Sequence, residues 1–146
     1  MIKMYLYRFD RMVIEADNVL FTTLTMNVQS LHRDAAWAGK QPGFWDERLV
    51  DSMFTLSTLV WLSVAQLTLG TVVANLGFSE VSFPKPIFHG DTSYAEAACT
   101  GKCESKGRPG KGIVNFEHTA RNQHDDIVVR AVRTTLAQRR PAQEVR

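Results

Sequence analysis

The segment TMNVQSLHRD, residues 25–34, contains side chains that could carry out acid–base chemistry on a bound molecule. His32 could take up and release a proton, because an imidazole titrates close to neutral pH. The amide of Asn27, five residues earlier, can donate and accept hydrogen bonds but cannot transfer a proton. The alternative that the residues alone leave open is a solvated loop histidine.

The cysteines and the other histidines do not predict a metal site. Cys99 and Cys103 could lie on one face of a strand, but structural zinc takes four ligands and no His/Cys cluster completes a set. These are the only two cysteines, so no disulfide framework is implied, and a reducing cytoplasm is the expected location. We expect His89, His118 and His124 in turns or at exposed strand positions.

A glycine-rich basic segment, ESKGRPGKG, could bind an anion. It contains Lys106, Arg108 and Lys111, and both residue types bind phosphate groups readily. A solvated turn between two strands has the same composition. The residues alone do not decide between the two interpretations.

The bulk composition excludes several classes of protein. The chain has 146 residues, 45% of them hydrophobic and 22% charged, with a net charge of +2. These values predict one globular domain over residues 1–146 and give no indication of nucleic-acid binding. The longest apolar stretch, MFTLSTLVWLSVAQLTLG, is interrupted by Thr, Ser and Gln, whereas a bilayer span takes about 20 predominantly apolar residues. We therefore expect no membrane segment.

The first half of the chain reads as short helices followed by irregular structure. Residues 15–26 are predicted to form a helix, with Asp17 or Asn18 as its cap. A loop over residues 27–32 and one or two helical turns ending at Gly39 should follow. The segment KQPGFWDERLV contains Pro42 and Gly43 and predicts a connection with little regular structure.

The longest predicted helix begins at Asp51 or Ser52 and ends at Gly70. Its apolar residues nearly encircle the axis, which is typical of a helix buried on all sides. A curved sheet is the economical way to surround such a helix. The remaining sequence alternates as strands do and predicts an antiparallel meander, with strands over residues 71–83, 92–105, 112–123 and 126–140. The fold class is therefore α+β, with a curved antiparallel sheet around a long central helix.

Several of these segments together resemble a known family. EADNVLFTTLTMNVQSLHRDAAWA, LVDSMFTLSTLVWLSV, TLGTVVANLGFSEVSFPKPIFHGDT and ESKGRPGKGIV are similar to the MaoC-like dehydratases, the (R)-specific enoyl-CoA hydratase group, over residues 11–140. The branch that they resemble most includes mesaconyl-CoA and itaconyl-CoA hydratases. The resemblance implies a hot-dog fold and a homodimer, or a larger homo-oligomer, that joins two sheets edge to edge. It also implies an acyl-CoA thioester as substrate, with no cofactor besides the CoA of the substrate itself.

The family's hydratase motif places a carboxylate five residues before a histidine, at positions that correspond to Asn27 and His32. The histidine is present, the carboxylate is an amide, and the usual Asn-Pro within the motif is Gln29-Ser30. The resemblance therefore implies that His32 is the acid–base group and that Asn27 positions water. Asp34 and Asp51 are the candidate auxiliary carboxylates. Replacing Asn27 by aspartate would restore the family's pair, so we expect activity to be kept or raised.

Two further groups of site residues follow from the same resemblance. The first turn of a buried helix has free N–H groups, so the backbone amides of Ser52 and Met53 are candidate donors to the thioester oxygen. The family's segment similar to ESKGRPGKG lies near the entrance for CoA, which makes Lys106, Arg108 and Lys111 candidate CoA-binding residues.

These features predict a hydro-lyase that reversibly adds water to the C2–C3 double bond of an acyl-CoA, with short and C5 dicarboxylic acyl groups as candidates. Two alternatives stay open. An acyl-CoA thioesterase would act on the same substrates, and a binding or partner subunit would have lost activity with the carboxylate. The products distinguish them, because hydration gives a hydroxyacyl-CoA, hydrolysis gives a free thiol, and binding gives neither.

Overall fold

The structure, a computed structural model, describes residues 6–42 and 46–140, and for residues 6–9 it describes the backbone only. Residues 43–45 of the predicted irregular connection and the C-terminal residues 141–146 lie outside the described part. The helices are α1 (Glu15–Leu24), α2 (Ser30–Arg33), α3 (Ala35–Ala38) and α4 (Ser52–Leu62), followed by a π-helical turn (Val64–Thr68). The strands are β1 (Leu6–Met12), β2 (Val72–Ser82), β3 (Thr92–Glu104), β4 (Lys111–Arg121) and β5 (Ile127–Gln138).

A five-stranded antiparallel sheet packs against α4, which confirms the predicted α+β architecture. The strand order is β1-β3-β4-β5-β2. Leu56, Leu59 and Val60 of α4 are buried in one cluster with residues of the facing strands, among them Ala120 and Val129. Small side chains on the strands let the helix approach the sheet closely. The hydrophobic effect at this interface fixes the position of the helix, and with it the position of the helix N-terminus.

The prediction of one continuous meander is wrong for β2. This strand pairs with β5 and forms one edge of the sheet, whereas β3 pairs with β4 and with β1, which forms the other edge and was not predicted. The segment over residues 83–91 therefore crosses the sheet instead of making a hairpin turn. On the way it meets the start of α4, where the Val50 N–H donates to the carbonyl of Ile87 at 2.9 Å. This crossing forms one wall of the pocket described below.

The central helix differs from its prediction in length and in burial. Regular α-helix ends at Leu62, and a π-helical turn continues the chain toward Gly70. Met53 is 54% exposed and Trp61 is 65% exposed, so burial on all sides is wrong for the chain alone. The reason is that one curved sheet covers one side of the helix only.

His118 of β4 is completely buried, which contradicts the expectation of an exposed strand or turn position. His89 and His124 do lie in turns, as predicted. Neither ring nitrogen of His118 has a hydrogen-bond partner among the described residues. Burial, together with a smaller contribution from the positive charge of Arg133, lowers the pKa of His118 to about 4. A histidine on this inner face of the sheet is therefore neutral at physiological pH.

The buried His118 should make stability fall at acidic pH. The unfolded chain binds a proton near pH 6.5, whereas the folded chain binds one only near pH 4, so lowering the pH through this interval favours unfolding. The loss is worth about 3 kcal/mol, at about 1.4 kcal/mol per pH unit. We expect His118→Leu to remove this part of the pH dependence when the free energy of unfolding in urea is measured between pH 7 and pH 4.

The exposed His124 provides the matched control, because His124→Leu should leave the wild-type pH dependence unchanged. Equal pH dependence in wild type and His118→Leu would contradict the burial argument.

Candidate active site

A pocket of about 440 Å³ lies between α2, the first turn of α4 and the crossing segment. Most of its wall is apolar and includes Leu31, Val50, Phe83, Pro86, Ile87 and Val128. The polar side chains of the wall are His32, Ser52, Thr55 and Lys85. A concave apolar site with a few polar groups in one place is the usual form of a small-molecule site.

The ring of His32 has a fixed orientation in this pocket. The residue lies in α2 and not in the predicted loop, and its side chain is 13% exposed. Its Nδ1 atom is 2.9 Å from the carbonyl oxygen of Leu49. Because a carbonyl only accepts, Nδ1 carries the proton of the neutral ring, and the lone pair is on Nε2. Nε2 is therefore free to act as a base.

A buried carboxylate lies beside His32, and it belongs to Asp51. This residue caps α4, with Oδ1 accepting the Met53 N–H at 2.8 Å. Its Oδ2 accepts the Nδ2–H of Asn27 at 2.6 Å and lies 3.9 Å from Nε2 of His32. The Oδ1 atom of Asn27 accepts the N–H of Gln29 at 3.1 Å. The fold thus brings Asn27 and His32 together with Asp51, which lies 24 positions after Asn27 in the sequence.

This arrangement changes the expectation for Asn27→Asp. An aspartate at position 27 would place two carboxylates in direct contact, because the Asn27 Nδ2 and Asp51 Oδ2 atoms are 2.6 Å apart. Like charges at this distance repel each other unless they share a proton. The substitution should therefore disturb the site as long as Asp51 is present.

The two backbone amides predicted to bind the thioester oxygen differ in their availability. The Met53 N–H already donates to Asp51 Oδ1. The Ser52 N–H has no hydrogen-bond acceptor among the described residues, and Ser52 lines the pocket. Of the two, the Ser52 amide is the donor that a ligand oxygen can reach without displacing a protein contact.

Asn18 holds the site together and was missed as a site residue by the sequence analysis. It is completely buried in α1 and is not the predicted cap of that helix. The N-cap residue is Ile14, and Asp17 lies in the first turn, where it accepts the N–H of Ile14 at 3.0 Å. Asn18 Nδ2 lies 3.1 Å from the carbonyl oxygens of His32 and Leu49, and Asn18 Oδ1 accepts the Asp51 N–H at 3.0 Å. One side chain therefore ties α2 to the start of α4.

A signal for this role was present in the sequence. Asn18 and Thr22 are the two buried residues of α1, and both are polar. Their spacing of four places them on the same face of the helix. A polar pair on the face that should pack against the core indicates hydrogen bonding in the interior, because buried polar groups need partners.

The remaining predicted site residues lie elsewhere. Asp34 caps α3, where its Oδ1 accepts the Trp37 N–H at 2.9 Å, and it does not line the pocket. Lys106 and Arg108 lie in the turn between β3 and β4, and Lys111 is the first residue of β4. Within one chain this turn is at the far end of the sheet from the pocket, about 30 Å away at about 3.3 Å per strand residue.

The described part of the chain contains no group of three or more His, Cys, Asp or Glu side chains that could hold a metal ion, and Cys99 and Cys103 are free. No helix within it is both long enough and apolar enough to cross a membrane.

Comparison with known proteins shows the family. Residues 3–122 match the family described as the MaoC like domain, which is most of the chain. The chain belongs to the MaoC-like domain family. The resemblance inferred from the sequence motifs is thus confirmed for the family, although not for any particular branch. A comparison with curated proteins gave no match.

Solved structures similar to this MaoC-like chain extend over nearly all of it. A monoamine oxidase regulatory protein from Archaeoglobus fulgidus is 27% identical, with a TM-score of 0.83 over 94% of this chain and 91% of that one. An (R)-hydratase from A. caviae involved in PHA biosynthesis is 25% identical, with a TM-score of 0.76 over 90% and 93%. The ChsH1–ChsH2 complex from Mycobacterium tuberculosis is 14% identical, with a TM-score of 0.72 over 95% and 100%, and shares the fold. The predicted hot-dog fold is confirmed.

Replacing Asn18 should lower the stability of the fold, because the substitution removes several buried hydrogen bonds. Asn18→Ala leaves the Asp51 N–H and the His32 carbonyl without their buried partner, so we expect a loss of about 2–4 kcal/mol in the free energy of unfolding. Urea denaturation measures this. Asn115→Ala is the matched control, because the Asn115 side chain accepts one hydrogen bond, from Thr134 at 2.9 Å, and should cost about 1 kcal/mol. Equal costs would contradict the role of Asn18.

Proposed function

We propose that this protein is a hydro-lyase that reversibly adds water to the C2–C3 double bond of an acyl-CoA thioester. The observation that carries the proposal is the free Nε2 of His32 on the wall of the pocket, with the Asp51 carboxylate 3.9 Å away. Membership of the MaoC-like family supports it, as does the similarity to an (R)-hydratase structure.

The site residues suit each step of hydration. A water molecule adds its oxygen to C3 while Nε2 of His32 takes one of its protons. The electrons of the double bond move toward the thioester oxygen, where the Ser52 N–H can stabilise the negative charge. The imidazolium then returns a proton to C2, and the thioester carbonyl forms again. Atoms and charges balance without a cofactor beyond the CoA of the substrate.

The pocket favours a short acyl group. It has a largely apolar wall and a volume of about 440 Å³, which has to hold the thioester as well as the acyl chain. Among the residues that line it, Lys85 is the one lysine or arginine. A cation beside the acyl site could pair with a second carboxylate, which favours testing C5 dicarboxylic enoyl-CoAs next to crotonyl-CoA.

We further propose a homodimer that joins two copies along β2. This edge strand exposes a row of apolar residues, Val73, Leu76, Phe78 and Val81, and exposed apolar edges are usually paired or covered. The first residues of β2 lie beside the end of β5, close to the turn that carries Lys106, Arg108 and Lys111, which we call the basic turn. The last residue of β2 leads into the pocket wall. A two-fold axis across β2 would therefore bring the basic turn of one copy to the pocket of the other.

His32→Ala tests the proposed activity. Wild type should hydrate at least one member of an enoyl-CoA panel, and mass analysis should show the gain of one water. The substitution should lower turnover by about 10² to 10⁴, the usual worth of a positioned acid–base group, while leaving the fold intact. The exposed His124→Ala is the control and should retain full activity.

The same assay separates the alternatives. Release of free thiol by wild type would favour the thioesterase. Binding of acyl-CoA without any product would favour a partner subunit, an arrangement for which the complex of ChsH1 with ChsH2 is a structural precedent. Wild-type hydration with an equally active His32→Ala would contradict the proposed mechanism.

The dimer and the basic turn can be tested in one complementation experiment. Neutralising Lys106, Arg108 and Lys111 together should weaken substrate binding and flatten its salt dependence, because phosphate contacts are screened by salt. Co-expression of this variant with His32→Ala should restore about a quarter of the wild-type activity. About half of the dimers are then mixed, and each mixed dimer has one complete site out of two. Each variant alone is the control. A monomer by light scattering, or no recovery on co-expression, would contradict the arrangement.

A further inference from the structure

We propose that Asp51 supplies the catalytic carboxylate that position 27 of the motif lacks. This inference rests on the proposed hydration and names a residue for it. In this chain the carboxylate belongs to the capping residue of α4, and it accepts a hydrogen bond from the amide at position 27.

Helix capping alone does not explain the position of Asp51. Capping uses Oδ1, which accepts the Met53 N–H, and serine or asparagine would cap equally well. The second oxygen, Oδ2, points away from the cap toward Asn27 and His32. The residue is 5% exposed, and carboxylates are rarely this buried unless they are paired. Burying a carboxylate at this position costs free energy that a neutral capping residue would avoid.

The amide at position 27 is the complement of the acid at position 51. Asn27 donates Nδ2–H to Oδ2 of Asp51 and accepts the Gln29 N–H with Oδ1, so its orientation is fixed from both sides. A carboxylate at position 27 could not donate to Asp51 at this distance. The amide at position 27 and the acid at position 51 therefore complement each other in one hydrogen bond.

The geometry gives Asp51 a direct part in the reaction. The 3.9 Å between Oδ2 of Asp51 and Nε2 of His32 is too long for a direct hydrogen bond, and one water molecule can bond to both atoms. When the water oxygen bonds to C3, Nε2 takes one proton and Oδ2 accepts a hydrogen bond from the other. The negative charge of Asp51 stabilises the imidazolium until the proton passes to C2.

The test exchanges the two side chains. Asp51→Asn keeps a good helix cap and the size of the side chain but removes the charge, and turnover on the best enoyl-CoA should fall by about 10². Asn27→Asp alone should also lower turnover, because the two carboxylates then meet. The double variant Asn27→Asp/Asp51→Asn puts the acid back on the motif, and it should recover to within about tenfold of wild type.

A second readout separates catalysis from a structural role. If Asp51 and His32 act on the same water, the double variant His32→Ala/Asp51→Asn should have nearly the same turnover as His32→Ala alone. Asp17→Asn is the matched control, because Asp17 also accepts a backbone N–H at the start of a helix and lies outside the pocket, and it should leave turnover unchanged. Circular dichroism confirms that each variant folds.

The outcomes distinguish this inference from the proposed function. A hydratase whose Asp51→Asn variant stays within about threefold of wild type overturns the inference and leaves the proposed function standing. The inference is also overturned if Asn27→Asp/Asp51→Asn is no more active than Asp51→Asn. It is overturned as well if the losses of turnover caused by Asp51→Asn and His32→Ala add when the two are combined. A wild-type protein that hydrates no enoyl-CoA overturns the proposed function itself.

Discussion

A buried carboxylate at the first turn of the central helix is the constraint on which the site depends. Asp51 has to be held by donors on both of its oxygens, and the Met53 and Asn27 N–H groups provide them. The amide at position 27 supplies the donor that Oδ2 of Asp51 needs, and the same oxygen lies 3.9 Å from Nε2 of the His32 ring.

The rest of the fold keeps these groups in register. Packing of Leu56, Leu59 and Val60 against the strands sets the position of α4 and therefore of its cap. Asn18 connects the cap to the carbonyls around His32, and the crossing segment closes the opposite wall of the pocket. A polar network of this kind specifies one arrangement, because any displaced member would leave a buried group without a partner.

The positions of helices and strands along the chain could be predicted from the sequence better than the way these elements pack against each other. Hydrophobic periodicity placed α1, the start of α4 and strands β2 to β5 within a few residues, because period and turn chemistry are local. The position of β2 beside β5, the exposure of Trp61 and the burial of His118 depend on how the sheet closes, which no local pattern contains. His32 and Asn27 became candidates because they occupy the motif positions of the family that the sequence resembles. The hydrogen bond of Asn27 to Asp51 and the role of Asn18 were not predicted, because they join segments distant in sequence.

The free energy of coupling between positions 27 and 51 tests the central claim most directly. It is obtained from urea unfolding of the four proteins that carry Asn or Asp at each position, without reference to activity. We expect the two proteins with one acid and one amide to be together more stable than the two with matched residues, by about 1–3 kcal/mol, and the protein with two acids to be the least stable. Effects that add to within about 0.5 kcal/mol would show that the two side chains do not depend on each other.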